Sequence, residues 1–364
     1  MLKTAARALD TGGNGLKDFR KTRRKRIKAW LTAAMFLFGT LTGCGSVSDT
    51  HGDVGTPNDG KLKVVTTLFP YYDFTRQIAG DAVDLSMVIP AGQDSHSFEP
   101  TPADIRLIQN ADLLICNGGA MEQWVSQVVA SLDSESLKVI TMMDYVDTVE
   151  EEIVEGMEHS DEGHGHVHVH GDGEEEAAEP PEEESRYEIE YDEHIWTSPV
   201  NAMRMVDVIA EILTERDPDH GAMYQAGAAA YLEELERLDK EFREVRDGAA
   251  HDMIVMGDKF PLRYFADAYG LRYRAAFSGC SSDTEPSART IAYLIDKVKE
   301  EGLPVVYYLE LSSHRTAEII QEETGAMPLL LHSCHNVTRK QFDEGVTYLQ
   351  LMKQNVENLR YGLE

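Results

Sequence analysis

From residue 61 onward, short apolar runs alternate with amphipathic ones. Lys61-Leu62-Lys63-Val64-Val65-Thr66-Thr67-Leu68-Phe69 is rich in β-branched residues and stops at Pro70, which predicts a strand. Residues 71–80 have helical spacing and end on a glycine. The same alternation predicts strands at 83–89, 112–116 and 138–142, with helices at 102–110 and 121–132. A second series predicts strands at 253–256, 271–277, 304–310 and 327–332, with helices at 261–269, 287–300, 316–324 and 342–359. Between the two series lie two helices without strands. Residues 201–214 carry Met203, Val206, Val208, Ile209, Ile212 and Leu213, and residues 223–245 carry a stripe through Tyr231, Leu235 and Leu238. The fold class is therefore α/β: two open, mostly parallel-sheet domains joined by a long rigid helix. The boundaries are an N-terminal domain over 61–215, a linker helix over 216–247 and a C-terminal domain over 248–364. No close internal repeat relates the halves.

The rhythm breaks at 147–191. From Asp147 to Glu193 there are 20 acidic residues and one basic residue, Arg186, so this region carries most of the chain's net charge of −30. With few large apolar residues it has no core to bury, and a mobile acidic, His-rich loop is expected. A surface this acidic excludes nucleic acid as a partner, because phosphate binding needs basic patches. The basic counterpart lies at the start, in Arg20, Lys21, Arg23, Arg24, Lys25, Arg26 and Lys28. An apolar run too short for a comfortable membrane span follows and ends in Leu41-Thr42-Gly43-Cys44. This reads as an export signal over 1–43 with a lipobox, Cys44 being the site of lipidation; the bland reading is a signal anchor with an incidental Cys. Residues 44–60 are small, polar and Gly-rich, as in a flexible tether.

Three further cysteines remain. Cys116 lies in an apolar run and reads as a buried thiol. Cys280 and Cys334 both follow predicted strands; a disulfide between them and two free thiols near a metal are both open readings.

The candidate chemistry is carried by histidine. Five of 13 histidines crowd into one tract, His159, His164, His166, His168 and His170, on a chain acidic enough to gather cations. Neutral imidazole suits zinc, copper and nickel, so metal capture is favoured over a merely solvated loop. His96, His194, His332 and His335 lie in loops at the carboxyl ends of predicted strands or just before helices, where open α/β sheets bind ligands. Asp258 and Lys259 read as an ion pair. No Gly-rich phosphate cradle ending in Lys is present, so the chain is not itself an ATPase.

In order and context, these residues resemble the solute-binding proteins of zinc and manganese ABC transporters, the cluster A-I, helical-backbone family. His96-Ser97-Phe98-Glu99-Pro100 resembles its first ligand motif. Asp192-Glu193-His194-Ile195-Trp196 resembles the second, with Glu193 where Pro is usual. The acidic His-rich insertion sits where zinc-type members carry theirs. The C-terminal half departs from the pattern: Gly257 stands where the third His is expected, and His332 where the last acidic ligand is expected. The resemblance implies a metal site in the interdomain cleft, made by His96, His194 and His332, with a fourth ligand from His335, Asp258, a Cys or water. Three nitrogen ligands suit Zn2+ better than manganese.

The implied function is an exported, lipid-anchored, monomeric zinc receptor on the outer face of a bacterial membrane. It would deliver the ion to an ABC permease and, through it, a separate ATPase. Affinity should fall once pH drops below about 6.5, where imidazoles protonate. The alternatives are a receptor for manganese or another divalent metal, and a metal-dependent surface adhesin. A metalloenzyme is disfavoured because no general base accompanies His96 or His194.

Overall fold

The computed structural model describes residues 60–132, 136–158, 191–281 and 285–364. The expected export signal, Cys44, nearly all of the tether and the histidines at 159, 164, 166, 168 and 170 lie outside the described residues. Among the described residues no helix is long and apolar enough to cross a membrane.

The first series forms β1 (Leu62–Thr66), α1 (Phe69–Ala79), β2 (Val83–Met87), α2 (Pro102–Gln109), β3 (Leu113–Cys116), α3 (Gln123–Ser131) and β4 (Lys138–Thr141). Its sheet is parallel, with order β2-β1-β3-β4. Leu113, Leu114, Ile115 and Cys116 are all buried, as expected for a strand covered on both faces. Two helices follow, α4 (Pro199–Arg216) and α5 (Gly221–Gly248). The second series forms β5 (Met253–Phe260), α6 (Arg263–Tyr269), β6 (Arg272–Ser278), α7 (Ala288–Glu301), β7 (Val305–Tyr308), α8 (Arg315–Thr324), β8 (Met327–Leu330), α9 (Arg339–Asp343) and α10 (Tyr348–Leu363). Its sheet is also parallel, with order β6-β5-β7-β8. The two sheets thus share one winding. In each, strand order reverses beside the first strand, which is where a crevice for ligands forms at the carboxyl ends.

The expected long helix is α5, and it does more than connect. Tyr224, Ala228, Tyr231, Leu235, Leu238, Phe242 and Val245 recur at helical spacing and are buried. Its first half meets α1 through Tyr231 and Phe74, whose ring centroids are 6.0 Å apart. Its second half meets α6 through Phe242 and Phe265, 4.9 Å apart. One continuous apolar cluster therefore includes residues of both sheets and of α1, α4, α5 and α10. Asp73, buried on α1, strengthens the join. Its carboxylate accepts from the Tyr348 backbone N–H at the start of α10 (2.7 Å), from Arg76 (2.6 Å) and from Gln77 (3.1 Å).

Two expectations are corrected. The final helix is broken into α9 and α10. Gly345 has φ +72°, and Thr347 with Gln350 forms a capping box that restarts the helix. The acidic stretch is not loose throughout, since residues 149–158 are docked. Met157 is buried and Val149 and Val154 pack on the core, so a few apolar side chains suffice to hold it. Its carboxylates find specific partners. Glu158 accepts from Ser287 N–H and from the Thr290 hydroxyl (both 2.6 Å) at the start of α7, and Glu151 accepts from Cys280 N–H (3.0 Å). Glu158 also bridges to Phe277 in β6, and Glu150 bridges to Tyr191 where the chain returns.

The packing of α5 on α1 allows no side chain at Gly227, because a Cβ there would run into the Ile78 carbonyl. Gly227→Ala should destabilise the protein by about 1–3 kcal/mol through overpacking, despite alanine's better helix propensity. Thermal unfolding would check the sign: a raised midpoint would mean that α1 and α5 can separate freely.

Candidate metal centre

The crevice contains a cavity of about 220 Å³ lined by His96, His194, His335, Asp258, Lys259 and Glu310, among others. The His96 and His194 ring centroids are 5.7 Å apart, His96 and His335 5.6 Å, and His194 and His335 6.0 Å. Three imidazoles from three separate loops thus surround one space. No three His, Cys, Asp or Glu donors among the described residues are yet drawn together closely enough to hold an ion.

Each loop is held by its own local chemistry. His96 follows β2; the Asp94 carboxylate accepts from its backbone N–H (2.8 Å). His194 precedes α4 and is almost fully buried. Asp192 accepts from its backbone N–H (2.8 Å) and lies 3.2 Å from its Nδ1. An Nδ1–H held by Asp192 leaves Nε2 with the lone pair an ion needs, which is the usual support for a metal-binding imidazole. Next to it, Glu193 accepts from the backbone N–H groups of Ala120 and Met121 and ties this loop to the one after β3. His335 follows β8. Its Nε2 pairs with the Ser95 hydroxyl, and its ring stacks on Trp196 with centroids 5.4 Å apart. Asn336 donates to the carbonyls of Pro90 (2.9 Å) and Gln93 (2.7 Å), joining the first ligand loop to the last.

Trp196 is the common support. It is completely buried, donates from its indole N–H to the Ser333 carbonyl (2.8 Å), and has its own carbonyl bound by the Tyr348 hydroxyl (2.8 Å).

Burial and neighbouring charge separate the three imidazoles. Burial, then the His194 charge, push His96 down to about 4. Burial also pushes His335 well below the ordinary value, with His96 and His194 adding to the effect. For His194 burial acts in the same sense, but the Asp192 carboxylate overcomes it and raises the pKa. At neutral pH His96 and His335 are therefore neutral donors.

Several sequence expectations change. His332 does not line the cavity. It is buried behind it: its backbone N–H donates to Asn355 (2.8 Å) and its Nδ1 accepts from Cys334 N–H (2.9 Å). His335, three residues on, points to the other histidines instead. Cys334 between them has φ +60°, a left-handed backbone turn that redirects the chain. Gly257 does not face the cavity either; a Cβ there would press on the α8 backbone at Ala317. The register of β5 against β6 shifts between Met256 and Lys259, and the irregularity brings Asp258 and Lys259 to the cavity. These two are not an ion pair: the Asp258 carboxylate accepts from the Lys259 backbone N–H (2.9 Å). Cys280 and Cys334 are free thiols, so the disulfide does not form, and Cys116 is a buried thiol as expected. Periodicity alone could not reveal Lys259, because a strand irregularity leaves no mark on an apolar run.

Residues 64–362 match the family described as zinc-uptake complex component A, periplasmic (ZnuA). The high-affinity zinc uptake system protein ZnuA of Bacillus subtilis is 34% identical over 342 residues, covering 93% of this chain and 98% of that protein. The zinc-binding lipoprotein AdcA of Streptococcus pneumoniae is 32% identical, and the chain spans only 56% of its length. The crystal structure of the Zn(II)-bound ZnuA-like domain of that AdcA superposes with a TM-score of 0.65 at 29% identity, covering 84% of this chain and 99% of that one.

Two outcomes follow from this geometry. Trp196→Phe leaves the buried Ser333 carbonyl unpaired and should cost about 1–3 kcal/mol of stability. It should also weaken metal binding about 10–100-fold by loosening the His335 loop; unchanged affinity in a zinc titration would mean that the indole only fills space. The second concerns Glu122, buried under the loop after β3, where its carboxylate accepts from the N–H groups of Asn117 (2.7 Å) and Gly118 (3.0 Å). Burial raises its pKa from 4.5 to about 7. Between those values the folded state binds the extra proton, so this group's contribution to stability falls as pH rises through the window. Glu122→Gln should remove a pH-dependent loss on the order of 3 kcal/mol. Denaturant unfolding of both proteins at pH 5 and pH 8 would check it, identical slopes counting against the raised pKa.

Proposed function

From the chain's membership in the ZnuA family of periplasmic zinc-uptake components, we propose that it captures zinc outside the cytoplasm and delivers it to an ABC importer. The observation that carries this reading is the convergence of His96, His194 and His335 on one cavity, with Asp192 supporting His194. Zn2+ is cargo here and not a catalyst. Its ligands are the three imidazoles, which a modest movement of the His96 and His335 loops would draw around the ion. Three nitrogen donors favour zinc over manganese, a metal better served by oxygen. His332 stays in the packing behind the site.

In this reading the chain is exported and tethered to the membrane by a lipid on Cys44, works as a monomer, and meets a permease and its ATPase. The histidines between 159 and 170 form an auxiliary metal-capturing segment. Their stretch leaves the described fold at Glu158, beside Phe277, and returns at Tyr191. Glu158 is thus bridged to a residue two before Gly279, and Tyr191 stands three before His194; Gly279 and His194 both line the cavity. Tethered ligands near a site raise the local ion concentration.

Replacing each histidine in turn and titrating zinc against a competing chelator tests the ligand set. His194→Ala and His335→Ala should each weaken the tight component by at least about 100-fold. His332→Ala should alter stability more than affinity. If His332→Ala abolished tight binding while His335→Ala left it intact, the set proposed for this cavity would be wrong.

A further inference from the structure

The docked acidic segment, residues 149–158, is held against α6, β6 and α7. Val149 N–H donates to the Tyr264 hydroxyl on α6 (3.2 Å), and Tyr273 on β6 donates to Glu152 (2.9 Å). Glu158 accepts from Ser287 N–H and the Thr290 hydroxyl at the start of α7. Between these anchors the Glu151 carboxylate reaches the loop after β6, where it accepts from Cys280 N–H (3.0 Å).

That loop is part of the cavity wall, since Gly279 belongs to the lining. Gly279 also packs directly on a metal-site histidine. A Cβ there would stand 3.1 Å from both Nδ1 and Cε1 of His194, and 3.0 Å from the Phe260 carbonyl oxygen. The bare backbone at 279 is therefore the surface on which one edge of the imidazole rests, and Nε2 is left for the ion. Within the loop, Ser281 N–H reaches the Ser278 carbonyl at 3.4 Å, a long hydrogen bond that does little to fix the turn. The Glu151 carboxylate is the shorter, charge-assisted hold. Resting on the zinc reading above, we propose that Glu151 is a positioning residue of the metal site. By holding Cys280 N–H it keeps the Gly279 backbone against His194, and so keeps that imidazole aimed at the ion. It acts through the 279–280 backbone and is not a ligand. The docked segment is then a working part of the receptor as well as the root of the His-rich stretch.

The test uses the full chain. Zinc is titrated against a competing chelator, and the cleft component is the one that His194→Ala removes. Glu151→Ala should weaken that component about tenfold, as loss of a supporting partner does in metal sites. Glu151→Gln should keep the parent affinity, because its amide oxygen accepts from the same N–H. Glu158→Ala frees the anchor at α7 and leaves the Cys280 contact in place. It should lower the thermal midpoint without changing zinc affinity. Cobalt bound in place of zinc reports ligand geometry: its visible bands should shift in Glu151→Ala and stay fixed in Glu158→Ala. Unchanged zinc affinity in Glu151→Ala would overturn the proposal, as would weaker affinity with unmoved cobalt bands. Glu151→Gln weakening zinc as much as Glu151→Ala would also overturn it, making negative charge the cause. Equal losses in Glu158→Ala and Glu151→Ala would replace it with a general loosening of the segment. If His194→Ala removes no component from the parent protein, the zinc reading itself fails, a result separate from all of these.

Discussion

The site depends on the burial of one indole. Trp196 belongs by sequence to the loop that carries His194, yet its hydrogen bond goes to Ser333 and its face to His335. Two ligand loops more than 130 residues apart are thereby fixed by one side chain. Its edge meets the Tyr71 ring on α1 at 6.4 Å, and Tyr71 in turn hydrogen-bonds Asn117 after β3. Asn117 also donates to the Glu193 carbonyl (2.9 Å), which closes the circuit next to His194. A buried network of this kind is rigid when every member is satisfied. It places three imidazoles around one space before any ion arrives, so less of the binding free energy goes into ordering the loops.

The same network limits how the crevice can open. The apolar cluster passes from one sheet to the other through α5, α1 and α10, and Asp73 joins α1 to α10 inside it. Swinging one half away from the other would expose this core, whereas a hinge between independent domains exposes little. Small changes in the loops bearing His96 and His335 cost far less. The His96 ring is half-buried, and its loop is held to the opposite side by Asn336 and by the Ser95–His335 pair. Release of metal is thus better served by these few loop-to-loop contacts than by the core.

Much of the fold was legible because parallel α/β units repeat a strong signal. Apolar runs such as Leu113-Leu114-Ile115-Cys116 and the α5 stripe leave few alternative readings. His96 and His194 were legible for a related reason, since each sits in a local motif: Asp94 accepts from the backbone of the first, and Asp192 and Trp196 contact the ring of the second. The third histidine was harder to place. His332 and His335 both follow β8, and what separates them is a left-handed turn at Cys334 and an Asn355 side chain 23 residues away that claims the His332 backbone. Neither is a periodic feature. The docked acidic segment was missed because net charge dominates its composition, while three apolar side chains and two well-placed carboxylates decide its structure.

Charge shows the same division between composition and position. The chain as a whole is strongly acidic, which favours the arrival of cations at its surface. Inside the cavity position matters more than composition. Its lining brings Asp94, Asp258 and Glu310 beside Lys259, and Asp258 and Lys259 reach it through an irregularity in β5. Each of these carboxylates also accepts from a nearby backbone N–H, so its charge is held in place around the imidazoles. Attraction at the surface and fixed charge within are compatible demands on a receptor, which must gather its cargo from dilute solution and then place it.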